Sequence, residues 1–153
     1  MTPFTARIIA RAGLVALALA QNGVATPARA DVYLVVPVAS SIQSLTHKEA
    51  TDLYTGRTRL LPNGDVAQLF DLPRESQQRA LFYRTLTGMS LAQINSYWSR
   101  LMFSGQHLPP QPLANERAVV ETLRRNPGAL GYLTTRPTDA ALRTVLVLAS
   151  PEP

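Results

Sequence analysis

The chain of 153 residues contains no cysteine and few charged side chains. Without cysteine there is no disulfide framework, no thiol nucleophile, no thiolate metal site and no lipid-modified cysteine. Charged residues make up 16% of the chain, below the roughly 25% of an ordinary soluble protein. The hydrophobic content of 46% excludes general disorder and supports one packed domain.

The sequence also lacks an apolar run long enough to cross a bilayer as a helix, which needs about 20 residues. Its N-terminal segment is instead typical of a secretory signal, because two arginines precede the apolar segment 12–20. Ala28-Arg29-Ala30 then fits the small-x-small pattern of a signal-peptidase site. We therefore predict a signal peptide over residues 1–30, cleaved after Ala30, a periplasmic location, and no membrane anchor after cleavage.

Most of the net positive charge belongs to that predicted signal. The formal net charge is +5, and the signal contains three arginines but no acidic residue, so residues 31–153 carry 12 basic and 10 acidic side chains. No block of lysine or arginine remains of the kind that nucleic-acid binding needs. The composition therefore predicts no nucleic-acid partner.

The pattern of residues 31–149 predicts a single α/β domain, with helices packed on a small mixed sheet. The run 31–38 is apolar on both faces, as in an inner strand. Capping boxes, formed by Thr46 with Glu49 and by Ser90 with Gln93, begin two of the helices. The predicted order is β-α-β-α-α-α-β-β, with strands at 31–38, 66–70, 129–133 and 144–148 and helices after Thr46, Ser76, Ser90 and Asn115. Trp98 is expected in the core, segment 109–112 as an extended connector, and 150–153 as a flexible tail.

The sequence carries no recognisable catalytic motif. It has no G-x-S-x-G elbow, no His-Glu-x-x-His metal helix and no Walker loop. Its histidines, His47 and His107, lie far apart, and the nearby carboxylates of Asp65, Asp71 and Glu75 single out no acid/base pair. We therefore expect a protein that is not an enzyme and that holds no cofactor or metal.

Segment 71–76 is the best candidate for a binding site, because it joins the end of a strand to the start of a helix. Ligands of α/β folds gather beyond the carboxyl ends of strands, and a helix N-terminus offers N–H groups and partial positive charge to an oxyanion. Arg74 and Ser76 would add a guanidinium and a hydroxyl, with Ser40 and Ser41 facing the same anion from the loop after the first strand. The alternative interpretation is that Ser76 only caps its helix, that Arg74 is solvated, and that the two loop serines only form a turn.

Three segments resemble the substrate-binding proteins of phosphate ABC transporters, and together they span about residues 32–148. The first segment is Ser44-Leu45-Thr46 with Leu53-Tyr54-Thr55-Gly56-Arg57. The second is Arg74-Glu75-Ser76 with Phe82, which corresponds to the family's strand-to-helix phosphate site. The third is Asn126-Pro127-Gly128-Ala129-Leu130-Gly131-Tyr132. The resemblance implies one lobe of a type II periplasmic-binding-protein fold. It also implies a site for phosphate or a similar small oxyanion, and an ABC permease, envelope receptor or sensor protein as the partner.

The chain departs from the family in two ways. Full-length members close two lobes over the anion, whereas residues 31–153 supply about one lobe. Where the family's phosphate site has an arginine followed by Gly-Ser-Gly-Thr, this chain has Leu72 near the arginine position, and Gln77 and Gln78 replace Gly and Thr. Ser76 is therefore the residue that carries over from the family's site.

Two functions remain open at this point. The first is an exported solute-binding domain that binds phosphate or a similar oxyanion at the start of a helix, as part of uptake or sensing. The second is a periplasmic interaction module that kept the fold but lost the pocket. Such a module would dock on an envelope receptor, porin or sensor kinase, using the sheet edge or the rim formed by Arg57 and Arg59.

Overall fold

A computed structural model describes residues 30–150, so the predicted signal peptide and tail lie almost wholly outside the described residues. The order of elements is β1 (Val32–Pro37), α1 (His47–Tyr54), β2 (Gln68–Asp71), α2 (Gln77–Thr87), α3 (Leu91–Phe103), β3 (Gln111–Pro112), α4 (Glu116–Leu123), β4 (Ala129–Leu133) and β5 (Leu142–Leu148). The five strands form a mixed sheet in the order β3-β2-β4-β1-β5. The predicted α/β class is confirmed. None of the helices formed by residues 30–150 has the length and apolar character that a bilayer crossing requires.

The strand directions decide which loops meet. β1 is an inner strand, as predicted, and it is antiparallel to both β4 and β5, whereas β2 is parallel to both β3 and β4. β1 therefore runs opposite to β2, and the carboxyl ends of these two strands lie at opposite ends of the sheet. We call the edge where β2 finishes, at Asp71, the β2 end, and the edge where β1 finishes, at Pro37, the β1 end.

The helix starts follow from their caps. Both predicted capping boxes are present, so that Thr46 and Ser90 each accept from the backbone N–H three residues on. Ser76 and Asn115 cap α2 and α4 in the same way. A cap of this type contributes about 1 kcal/mol, which explains why the sequence located these four starts correctly.

Besides shifts of one residue at strand ends, the sheet differs from the prediction in three ways. β2 begins at Gln68, because Val66 instead forms an isolated antiparallel bridge with Leu60. β5 begins at Leu142, because its first two residues pair with Pro37 and Val36 of β1. The second of them is an arginine, which interrupts the apolar run of the strand. The predicted connector contains the short strand β3, whose two residues pair with the end of β2.

The aromatic residues of the segments that carry the family resemblance meet in the core. Tyr54 packs edge-on against Phe82 at 4.7 Å between ring centroids, and Phe82 stacks on Tyr132 at 3.8 Å. A Cβ on Gly131 would lie 2.7 Å from Val119 Cγ1, so a side chain there would push α4 off the sheet. Trp98 is 4% exposed, which confirms its predicted place in the core. The aromatic residues and the glycine of these segments therefore contribute to packing.

Candidate functional site

The β2 end is built around the buried carboxylate of Asp71, which is 3% exposed. Its Oδ1 accepts hydrogen bonds from the Leu72 N–H at 2.7 Å and from the Tyr132 hydroxyl at 2.5 Å. Its Oδ2 accepts from Arg79 Nε at 2.8 Å and from the Tyr83 hydroxyl at 3.1 Å. Four donors saturate the capacity of a carboxylate to accept hydrogen bonds.

Arg79 is the charge partner of Asp71, and its side chain is 6% exposed. The Ser76 hydroxyl accepts from the Arg79 backbone N–H at 3.2 Å, which places this arginine in the first turn of α2. Its Nη1 donates to Asn95 Oδ1 at 2.6 Å and to the Arg74 carbonyl at 3.2 Å. Nη2 makes no hydrogen bond within residues 30–150, so part of the guanidinium is left for another acceptor.

The electrostatics of this network keep its groups in fixed protonation states. Burial opposes the charge of Arg79, but the Asp71 carboxylate outweighs that cost through its charge and hydrogen bond and leaves the pKa of Arg79 raised. Burial, followed by the Asp71 charge, raises the pKa of Tyr132 and of Tyr83 far above the ordinary tyrosine value. The two tyrosines therefore remain hydrogen-bond donors to Asp71 throughout the physiological pH range.

A cleft of about 160 Å³ lies beside the network, between the start of α2, α3 and the segment around β3. This volume is below the roughly 300–1,000 Å³ of pockets for drug-sized ligands, so the cleft suits a small ion. Its polar side chains are those of the network and of α3. The lining residues are Asp71, Leu72, Arg74, Arg79, Asn95, Trp98, Ser99, Met102, Pro109, Pro110 and Pro112.

The cleft offers several hydrogen-bond donors in addition to Arg79 Nη2. The Arg74 side chain is 64% exposed and only loosely paired with Glu75, at 3.6 Å between Nε and Oε1. Asn95 must turn its oxygen to Arg79, because a guanidinium only donates, and its amide nitrogen has no partner in the described part of the chain. The buried indole nitrogen of Trp98 makes no well-formed hydrogen bond within residues 30–150, although it lies near the Tyr83 hydroxyl.

Of the residues predicted at the site, the structure places two at the β2 end. Arg74 lines the cleft. Ser76 is the N-cap of α2 and does not line the cleft, although its bond to the Arg79 backbone supports the site. Whether either residue binds a ligand stays a prediction.

The other two predicted residues lie at the β1 end, so the expectation that they face the same anion does not hold in this geometry. Ser40 is buried and accepts from the Ile42 N–H at 3.3 Å, and Ser41 accepts from Asn63 Nδ2 at 2.6 Å. The physical reason is the antiparallel course of β1 relative to β2, which separates their following loops by the length of the sheet.

The sequence analysis missed Arg79 and Asn95, although a signal for Arg79 was present. The buried positions of α2 are Arg79, Phe82, Tyr83 and Leu86, which share one helix face by their spacing of three and four residues. An arginine on an apolar stripe is rarely buried unless it is paired. The buried carboxylate that pairs it stands eight residues earlier, at the end of the preceding strand. Asn95 had no comparable signal.

A second cavity of about 210 Å³ shares Trp98, Pro109 and Pro110 with the cleft. Most of its lining is apolar, with Arg59 and His107 among the polar residues. Within residues 30–150, no group of three or more histidine, aspartate or glutamate side chains is arranged to hold a metal ion.

Comparisons with solved structures identify the fold. One similar structure is an ABC-type phosphate transport receptor from Vibrio cholerae, at 14% identity and a TM-score of 0.58, covering 76% of this chain and 46% of the receptor. Another is described as a phosphate ABC transporter substrate-binding protein from Clostridium perfringens with bound phosphate, at 15% identity and a TM-score of 0.59, covering 76% of this chain and 45% of that protein. No protein-family model matches the chain, and no curated protein does.

The chain thus has the fold of part of these binding proteins and spans less than half of their length. At 14–15% identity the likeness concerns the fold, since function depends on the residues of a site. The structural neighbours are binding proteins and not enzymes. The class defined by fold and site together is an α/β domain that has the fold of part of these proteins and a small, donor-rich cleft.

Proposed function

We propose that this chain is an exported, non-enzymatic solute-binding domain that binds phosphate or a similar small oxyanion in the cleft at the β2 end. The observation that carries the proposal is the pair of guanidinium groups lining that cleft, one exposed on Arg74 and one buried on Arg79 with Nη2 uncommitted. The periplasm is the proposed location, and an ABC permease or a sensor protein is the proposed recipient of the anion. The phosphate-transport proteins that share the fold support this reading.

The buried arginine is already oriented for an anion. Asp71, Asn95 and the Arg74 carbonyl hold three of its N–H groups, so little side-chain entropy is lost when a ligand binds. Charge-assisted hydrogen bonds are about twice as strong as neutral ones. The lining side chains carry two positive charges and one negative charge, which favours an anion.

Thermal unfolding of the purified chain in the presence of phosphate, arsenate, sulfate, nitrate and small carboxylates, at low ionic strength, tests this function. A ligand at a hundred times its dissociation constant adds about 2.7 kcal/mol of stability, which raises Tm by roughly 10 °C at about 4 °C per kcal/mol. An Arg74→Ala variant should lose the shift. Arg84→Ala, an exposed arginine near the other end of α2, is the matched control and should keep it. If no anion raises Tm, the proposal fails.

The second candidate is an interaction module that docks on an envelope receptor, porin or sensor kinase. An exposed apolar group beside the cleft favours it: Phe103 is 94% exposed, Leu108 is 74% exposed and Met102 is 51% exposed. Crosslinking in envelope extracts should then capture a stable partner that is lost with Phe103→Ser. A chain that remains solitary in these extracts and binds anions contradicts this second candidate.

A further inference from the structure

We infer that the cleft selects oxyanions that carry no proton, such as sulfate or a small sulfonate, over hydrogen phosphate. The inference rests on the proposed function and names the ligand class of the same site. Hydrogen phosphate and sulfate have similar size and shape, but only hydrogen phosphate carries an O–H group that must donate a hydrogen bond. Discrimination therefore depends on whether the cleft has an ionised side-chain acceptor free for that proton, because hydrogen bonds to a charged acceptor are about twice as strong as neutral ones.

The one ionised acceptor in the cleft lining is Asp71, and its capacity to accept hydrogen bonds is fully used. Its two oxygens accept from the Leu72 N–H, from the hydroxyls of Tyr83 and Tyr132, and from Arg79 Nε, at 2.5–3.1 Å. A phosphate O–H would have to displace one of these donors and leave it unsatisfied in a buried place, which is unfavourable.

The remaining side-chain acceptors are neutral or occupied. Asn95 Oδ1 already accepts from Arg79 Nη1 at 2.6 Å. Ser99 donates its hydroxyl proton to the Asn95 carbonyl, which leaves only a neutral oxygen, a weaker acceptor than a carboxylate. Glu75 is a free carboxylate near Arg74, but its side chain is 80% exposed and it does not line the cleft.

The donors, by contrast, are numerous. Arg74, Arg79 Nη2 and the Asn95 amide nitrogen all lack a close hydrogen-bond acceptor in the described part of the chain. A tetrahedral anion that only accepts hydrogen bonds satisfies such donors without any mismatch. The arrangement is therefore complementary to a fully deprotonated oxyanion.

The test uses the fluorescence of Trp98, which is the single tryptophan of the chain and lines the cleft. The purified chain is titrated with sulfate, methanesulfonate and hydrogen phosphate at constant ionic strength and at about pH 8, above the second pKa of a phosphate group. We expect sulfate or methanesulfonate to bind at least about fivefold more tightly than hydrogen phosphate, because an unsatisfied donor costs at least that factor. The two sulfur anions distinguish a free sulfate from an organic sulfonate as the ligand.

An Asn95→Asp variant tests the reason for the selectivity. The aspartate keeps the oxygen that accepts from Arg79 and replaces the amide nitrogen with a free ionised acceptor. Both anions should bind more weakly because of the added negative charge, while the ratio of hydrogen-phosphate to sulfate affinity rises by about tenfold. Glu75→Gln, which removes the exposed carboxylate outside the cleft, should leave the ratio unchanged.

The outcomes separate the inference from the proposed function. Preference for an unprotonated anion, with the ratio shifted by Asn95→Asp, supports both. Preference for hydrogen phosphate that depends on Arg74 overturns the inference and keeps the proposed function. Absence of any anion-dependent change in fluorescence or Tm overturns both.

Discussion

Each end of the sheet holds an arginine whose guanidinium donates several hydrogen bonds, and the two arginines differ in the partners that accept them. At the β2 end, Arg79 is neutralised by Asp71 and keeps Nη2 uncommitted. At the β1 end, Arg143 has no carboxylate within ion-pair distance in the part of the chain that is described. Its guanidinium instead donates to the backbone carbonyls of Val38, Ser40 and Ile42 at 3.1–3.2 Å.

The comparison separates a structural arginine from one that is suited to a ligand. Arg143 uses both terminal nitrogens to fasten the loop that contains Ser40, so its role is to fix the backbone. Asp71 balances the charge of Arg79, and hydrogen bonds to the side chains of Asp71 and Asn95 fix its orientation. Within residues 30–150, its Nη2 remains without a partner beside the cleft. Each arginine donates three of its five N–H groups, so the difference is that Arg79 leaves a whole terminal nitrogen free and lines a cleft.

The largest effect is expected from breaking the ion pair at the β2 end. Asp71→Asn leaves the buried Arg79 without a counter-charge, which should lower the free energy of unfolding by about 3–5 kcal/mol. Urea denaturation measures the change. Glu121→Gln is the control, because it removes an exposed ion pair with Arg117 on α4 and should cost no more than about 0.5 kcal/mol. A loss below about 1 kcal/mol for Asp71→Asn would show that the β2 end does not depend on this pair.

A smaller effect is expected at the β1 end. Arg143→Met removes three hydrogen bonds to carbonyls that water can partly replace, so stability should fall by about 2 kcal/mol. Hydrogen exchange should become faster in the loop 38–46, while the anion affinity of the chain stays unchanged. Arg143→Lys should recover part of the stability. If Arg143→Met abolished anion binding, the two ends would not be independent and the comparison would be wrong.

The next effect concerns alkaline pH. Burial and then the charge of Asp71 raise the pKa of Tyr132 above the ordinary value of 10.0, so the unfolded chain releases this proton above about pH 10 while the folded chain retains it. The contribution of this pKa shift to the free energy of unfolding is therefore fully present below pH 10. It is lost as pH rises further, by about 1.4 kcal/mol for this tyrosine at pH 11. Tyr132→Phe should show a shallower decline than the unchanged chain in urea denaturation between about pH 9 and 11. Parallel declines would contradict the assignment.

The smallest effect on stability belongs to the exposed arginine of the cleft. Arg74→Ala should change the free energy of unfolding by no more than about 0.5 kcal/mol, because its pairing with Glu75 is loose and exposed. The same substitution should weaken anion binding by about tenfold or more, as expected for a charge-assisted hydrogen bond. Calorimetric titration and urea denaturation of one preparation measure both quantities. Unchanged affinity would remove Arg74 from the site.

Much of the fold was predictable because the decisive signals are local. The caps at Thr46, Ser76, Ser90 and Asn115 begin helices through contacts that span only three residues. The continuous apolar run of β1 correctly indicated an inner strand. Strand β3 was not predictable as a strand, because its two residues pair with β2 only after the sheet has assembled.

The candidate site was harder to predict, because its assembly depends on strand direction. Sequence order alone cannot say that β1 runs opposite to β2, and so Ser40 and Ser41 were grouped with Arg74 and Ser76. Arg79 was recognisable as a charge on an apolar helix face. Its bond to Asn95 joins two helices, and no local pattern encodes such a contact.

The position of β1 also has a consequence for how the chain folds. This first strand pairs only with β4 and β5, the last two strands, and the Arg143 contact with Ser40 spans 103 residues. Such high contact order slows folding, because long loops must close before the strands gain their partners. The sheet cannot be completed until β5 has been synthesised. During synthesis, therefore, the inner strand remains without its native neighbours and is available to chaperones.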